Sequence, residues 1–129
     1  METPTPFVHH LAVFASDFEA SERFYTSALG ALGIGAGYRA DGVSEYWTPG
    51  RDTPSLSLER AAEGTVTTGV HIAFTAADRE AVDAFHAAAV AAGGVSRHGP
   101  RVWTEYRAYC AFVSDPDGNN IEAVHKETH

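Results

Sequence analysis

The sequence predicts an α+β fold in which two tandem βαβββ modules form a curved mixed sheet with helices outside. Three observations predict it. First, sliding the chain of 129 residues by 61 positions lays His10–Ile34 on His71–Val95, and ten of the 25 paired residues are identical. His10 falls on His71, Asp17 on Asp78, Glu19 on Glu80, Phe24 on Phe85 and Gly33 on Gly94. Second, each copy opens with a period-of-two segment, as on a strand with two different faces. Third, each continues with a capped amphipathic segment at helical spacing that ends in glycine. The expected organisation is one domain over residues 1–129, with module one over 7–61 and module two over 69–126. Neither module is expected to bury its sheet alone, so the two combine.

The elements follow in order. Val8–Ala15 alternates, with His10 and Ala12 on one side and Leu11 and Val13 on the other. Ser16-Asp-Phe-Glu19 has capping-box spacing and starts a helix. Ser21, Phe24, Ala28 and Leu32 line one face of that helix, with Tyr25 and Leu29 beside them, and Gly33 and Gly35 end it. Ile34–Trp47 reads as two strands joined by a turn near Asp41-Gly42. Residues 48–54 form a loop, and Ser55–Arg60 alternates again. In the second copy Val70–Ala76 is the opening strand, and Asp78 caps a helix that runs to about Ala92 and stops at Gly93-Gly94. Val95–Trp103 is a short strand plus loop, and Tyr106–Val113 is a strand. Asp115-Pro-Asp-Gly118 suits a tight turn, and Asn120–His125 is the last strand.

Composition excludes several function classes. The 9 basic and 17 acidic residues give a net charge of −8, with no Lys/Arg cluster to displace counterions, so no nucleic-acid partner is expected. The apolar runs are strand-sized, which predicts no membrane span. Cys110 is the single cysteine, which rules out an intrachain disulfide or a multi-cysteine zinc site. The first residues lack the basic and apolar stretches of a secretory leader. The expectation is a cytoplasmic protein with a small-molecule ligand.

Alternation also sorts the faces. Leu11, Val13, Ile72 and Phe74 are bulky and are expected to pack on the helices. His10, Ala12, His71 and Ala73 then share the other face, where the alanines leave room for a pocket. If Ile121 packs with the helices, Glu122 joins them. Two imidazoles and a carboxylate suit a divalent first-row metal with open positions for substrate. His10, His71 and Glu122 are therefore the candidate ligands.

Three stretches carry a family resemblance. They are His10-Leu-Ala-Val-Phe-Ala-Ser-Asp17 followed by Phe24-Tyr25, then His71-Ile-Ala-Phe-Thr-Ala-Ala-Asp78, then Phe112-Val-Ser-Asp-Pro-Asp-Gly-Asn-Asn-Ile-Glu122. Together they resemble the vicinal oxygen chelate superfamily, which includes glyoxalase I, bleomycin-resistance proteins, fosfomycin-thiol transferases and extradiol dioxygenases. The resemblance implies paired βαβββ modules, a homodimer, and a metal (zinc, nickel, manganese or iron) on His10, His71 and Glu122. It implies a glyoxalase-like lyase or isomerase whose metal holds two adjacent substrate oxygens. Its bleomycin-type branch implies the alternative, a drug-binding protein without turnover. Glyoxalase I carries an acid on the last strand of module one. Here Glu59 takes that place if Leu58 matches Ile121, and Ser57 takes it if Leu56 does; parity permits both. Glu59 is the candidate base. Extradiol dioxygenases and fosfomycin-thiol transferases place tyrosine where this chain has Phe112, which disfavours both.

Further residues are candidates for the substrate site. Cys110 shares the parity of Phe112. Tyr46, Trp47, Trp103 and Tyr106 flank loops beside the expected cleft and suit an aromatic wall or a dimer interface. Arg101 and Arg107 suit a carboxylate clamp. His9 lies on the Leu11 side, and His86, His98, His125 and His129 fall outside the pattern.

Overall fold

The computed structural model describes residues 7–48, 50 and 54–127. The first half runs β1 (Leu11–Ala15), α1 (Phe18–Gly30), β2 (Gly35–Ala40), β3 (Val43–Trp47) and β4 (Pro54–Arg60). The second runs β5 (His71–Thr75), α2 (Arg79–Ala91), β6 (Val95–Trp103), a 3-10 turn at Thr104–Tyr106, β7 (Ala108–Ser114) and β8 (Asn120–Lys126). Each half is βαβββ, as the repeat predicts. The strands make two four-stranded mixed sheets, ordered β1-β4-β3-β2 and β5-β8-β7-β6. β1 is parallel to β4 and β5 to β8, while the hairpin strands are antiparallel. β1 and β5 therefore each leave one edge outside the ladder.

Both helices begin on an aspartate. Asp17 accepts the N–H of Ala20 and Asp78 that of Ala81, which satisfies a backbone donor at each N-terminus and places negative charge on the positive end of the helix dipole. Ser16 does not act as the cap. It turns instead to Asp117, which accepts its N–H at 3.0 Å and its hydroxyl at 2.5 Å. α1 buries Phe18, Ser21, Phe24, Tyr25, Ala28 and Leu29, and α2 buries Val82, Phe85 and Ala89. All of these but Ser21 join Val13, Tyr46, Leu56, Leu58, Val113 and Ile121 in one apolar cluster. The helices and the helix-facing sides of both sheets thus share one core, and each sheet leaves its other side outside it. Leu11 departs from expectation: it is the first residue of its strand and remains 41% exposed. Ile72 and Phe74 are half-buried.

Gly33 and Gly94 occupy the same place in the repeat for different reasons. Gly33 has φ of +81°, a left-handed conformation that only glycine adopts without cost. Gly94 has no such φ; a Cβ there would lie 2.6 Å from both Phe24 Cε1 and Val113 Cγ1. Close packing of α1 on module two demands it.

The turn after β7 clasps the halves together. Buried Asp115 accepts the Tyr25 hydroxyl at 2.6 Å, the N–H groups of Asp117 and Asn119, and the Asn119 side-chain amide. Asn119 in turn donates to the Thr67 carbonyl and accepts the Val70 N–H. Burial first, and then the Asp115 carboxylate, raise the Tyr25 phenol far above its ordinary range. It stays a donor at any working pH. No described helix is long and apolar enough to cross a membrane.

Candidate functional site

The outer face of the second sheet gathers titratable and aromatic side chains. β5 and β8 pair with Ala73 beside Glu122 and His71 beside Asn120. Ile72 and Ile121 face the core, so His71 and Glu122 share the opposite face, with Nε2 and Oε1 2.8 Å apart. β7 sets Phe112 across from Glu122, and β6 sets His98 across from Phe112. Trp103 completes an aromatic group, with ring centroids 5.4 Å from Phe112 and 5.2 Å from His98. With Arg97, Tyr106 and Asn120, these residues line a cavity of about 440 Å³.

Cys110 lies one step further along the same face of β7, opposite Val124, and is buried. Burial pushes its thiol up to about 12, and a hydrogen bond with Glu122 and that group's charge add to the shift. Cys110 is thus a neutral donor beside Glu122 at neutral pH, and a poor nucleophile.

The first sheet repeats the register. Leu11 pairs with Leu56 and Ala12 with Ser57, as Ile72 pairs with Ile121 and Ala73 with Glu122. Leu56 is therefore the counterpart of Ile121, and Ser57 that of Glu122. Glu59 lies one step further along on the same face, opposite Phe14, and its carboxylate accepts the Ser57 hydroxyl at 3.2 Å.

His10 precedes β1 and is exposed, and its Nδ1 lies 2.8 Å from that of His9. It does not line the cavity that holds His71 and Glu122. Among the described residues no three His, Cys, Asp or Glu side chains gather as a metal site. One chain brings two of the three candidate ligands together and leaves the third on another surface.

The other candidates divide. Trp103 and Tyr106 line the cavity, but Tyr46 is a core residue whose hydroxyl meets Thr26 Oγ1 at 3.0 Å. Trp47 belongs to the first sheet, packed so tightly over Gly37 that a Cβ there would lie 2.4 Å from its ring. Arg101 stacks its guanidinium 3.5 Å over Trp103. Arg107, held at φ of 51°, lines a separate cleft with Glu105, Lys126 and Glu127 rather than the His71 cavity. Arg97, His98 and Asn120 were not singled out by the sequence. The pairing of His98 with Phe112 depends on register shifts between Ser96 and His98 and between His98 and Arg101, which simple alternation does not reveal.

Residues 7–123 match the family model of the Glyoxalase/Bleomycin resistance protein/Dioxygenase superfamily. A glyoxalase/bleomycin resistance protein from Albidiferax ferrireducens has 35% identity and a TM-score of 0.78, over 94% of this chain and 100% of that one. A glyoxalase-related enzyme from Fulvimarina pelagi has 22% identity and a TM-score of 0.72, over 92% of this chain and 87% of that one. A lactoylglutathione lyase from Agrobacterium tumefaciens has 23% identity and a TM-score of 0.65, over 95% and 96%. The last two likenesses speak to fold alone. No curated protein matches the chain.

Proposed function

The chain belongs to the Glyoxalase/Bleomycin resistance protein/Dioxygenase superfamily, and from that premise we propose that it is a metal-dependent, glyoxalase-like enzyme of the cytoplasm. It acts as a homodimer on a small molecule with two adjacent oxygens. The observation that carries this reading is the His71–Glu122 pair in its cavity. Two donors bound to one ion at tetrahedral or octahedral angles stand about 3 Å apart, so the 2.8 Å between Nε2 and Oε1 suits a shared metal. The pair is half a site. His10 of the same chain lies elsewhere, beside exposed Phe7, Val8 and Leu11, apolar surface that a second copy would cover. In this reading His10 of one copy joins His71 and Glu122 of the other.

When bound, the ion supplies Lewis-acid stabilisation of charge developing on the substrate oxygens. The chain's own side chains do the rest. Trp103, Phe112 and His98 wall the cavity and exclude water. Glu59, oriented by the Ser57 hydroxyl and brought by the same copy as His10, takes the proton. Phe112 has no hydroxyl to donate, which sets this site apart from ring-cleaving chemistry. The aromatic lining also favours a second reading, in which the cavity sequesters an aromatic drug without turnover.

Complementation tests the shared site. The expected result is about one equivalent of transition metal per chain in the wild type by mass spectrometry, and none in His10→Ala or His71→Ala alone. Co-expressed, the two variants regain metal in mixed dimers, because one intact site forms between them. Full metal in both single variants overturns His10 and His71 as ligands, and no metal in the wild type after reloading overturns the metal reading in favour of sequestration. Loss in the single variants without recovery in the mixture overturns the shared site.

A further inference from the structure

We infer that the ligand of the His71 cavity is a planar aromatic carboxylate. This rests on the reading of that cavity as the substrate site, and four features carry it. Trp103, Phe112 and His98 stand mutually edge to face, with interplanar angles of 73° to 84°. Their centroids are 5.2 to 5.5 Å apart, so the rings touch one another and form one wall, on which a flat ring stacks more fully than a puckered one.

Arg97 is held in place before any ligand arrives. Its Nε donates to Ser114 Oγ and its Nη2 to the Gly118 carbonyl, both at 2.8 Å. It pairs with no carboxylate among the described residues, although it lines the cavity. A guanidinium fixed this way, with donors to spare, suits an incoming carboxylate.

Two buried polar atoms on cavity residues have no hydrogen-bond partner: the Trp103 Nε1–H and Asn120 Oδ1. A buried donor or acceptor without a partner is unfavourable, and a ligand bearing an acceptor and a donor relieves that. The carboxylate answers the Trp103 donor, and a hydroxyl or amine on the ring answers Asn120.

A cationic ligand fits less well, although aromatic boxes often hold cations. Arg101 already sits 3.5 Å over Trp103, and Glu122 is engaged with His71.

Isothermal titration calorimetry on the full chain, both chelator-treated and zinc-loaded, tests this with three probes. These are 1-naphthoate, cyclohexanecarboxylate, which keeps the charge and loses the flat ring, and 1-naphthylmethylammonium, which reverses the charge. The expected result is at least tenfold tighter binding of 1-naphthoate than of either other probe. Arg97→Gln loses about tenfold for 1-naphthoate alone, and Arg97→Lys recovers part of it. Phe112→Ala weakens both naphthyl probes. Equal affinity for cyclohexanecarboxylate, tighter binding of the ammonium, or no binding of any probe overturns the inference. The naphthoate preference in chelator-treated protein stands even if the metal reading fails. Stoichiometric metal with no ring preference leaves the metal reading standing and removes this one.

Discussion

The two modules share a backbone and differ where packing places no demand. Core positions correspond closely: Leu56 answers to Ile121, Phe24 to Phe85 and Ala28 to Ala89, all buried. On the outer faces the correspondence breaks. Ser57 stands where the second module has Glu122, Glu45 where it has Phe112, and Val43 where it has Cys110. The first face thus carries small and acidic groups, and the second an imidazole–carboxylate pair beside an aromatic cluster. The repeat keeps one scaffold, and its two open faces carry unlike side chains. In the proposed function the two faces meet across two copies.

Substitutions at matched positions sharpen this contrast. The largest effect is expected at the clasp, which the second module owns. Asp115→Ala leaves the Tyr25 hydroxyl and three N–H donors without their acceptor, and a loss of about 4 kcal/mol in urea unfolding is expected. Next come the repeat-related glycines. Gly94→Ala forces atoms into Phe24 and Val113 and costs about 2–3 kcal/mol, whereas Gly33→Ala costs about 1 kcal/mol for its left-handed backbone alone. Equal losses at the two would mean that the modules pack alike. The smallest effect lies in alkali. The folded thiol of Cys110 ionises at about 12 instead of the ordinary 9. The unfolded chain releases that proton first, so stability falls as pH rises from about 9 toward 12. Cys110→Val, which copies Val43, removes the thiol's share of that slope. What remains comes from groups such as Tyr25 and Tyr46, whose phenols are raised by burial first. An unchanged slope in chemical unfolding between pH 8 and 11 would refute the assignment.

The fold was legible because the repeat and the two periodicities are local signals. A strand that alternates and a helix with an apolar stripe announce themselves over a dozen residues. The helix start was half legible: spacing pointed to Ser16 with Glu19, while Asp17, one residue on, makes the bond and Ser16 is spent on a distant turn. The choice between Ser57 and Glu59 needed strand register, since residues two apart on one strand share a face whichever of them matches Glu122. The two separate sheets were not legible either, because alternation within a strand is silent about its neighbours. Arg97 and His98 reach the cavity through irregular pairing of β6, and Arg107 leaves it through a left-handed turn; neither follows from period two. His10 and His71 share a repeat position, yet equivalence in a repeat does not mean contact within one chain.

The clasp also has a consequence in time. Tyr25 and Asp115 are 90 residues apart in sequence, and Ser16 and Asp117 are 101 apart. During synthesis the first module leaves the ribosome long before its tether exists. Helix α1 and its sheet must wait, with Phe24 and Tyr25 lacking their final partners, until the turn before the last strand emerges. Contacts of such long range close late and slow the final docking. Commitment to the native arrangement is thereby reserved for a chain that has been made at least as far as this turn, and a product truncated before residue 115 lacks the Tyr25–Asp115 and Ser16–Asp117 bonds.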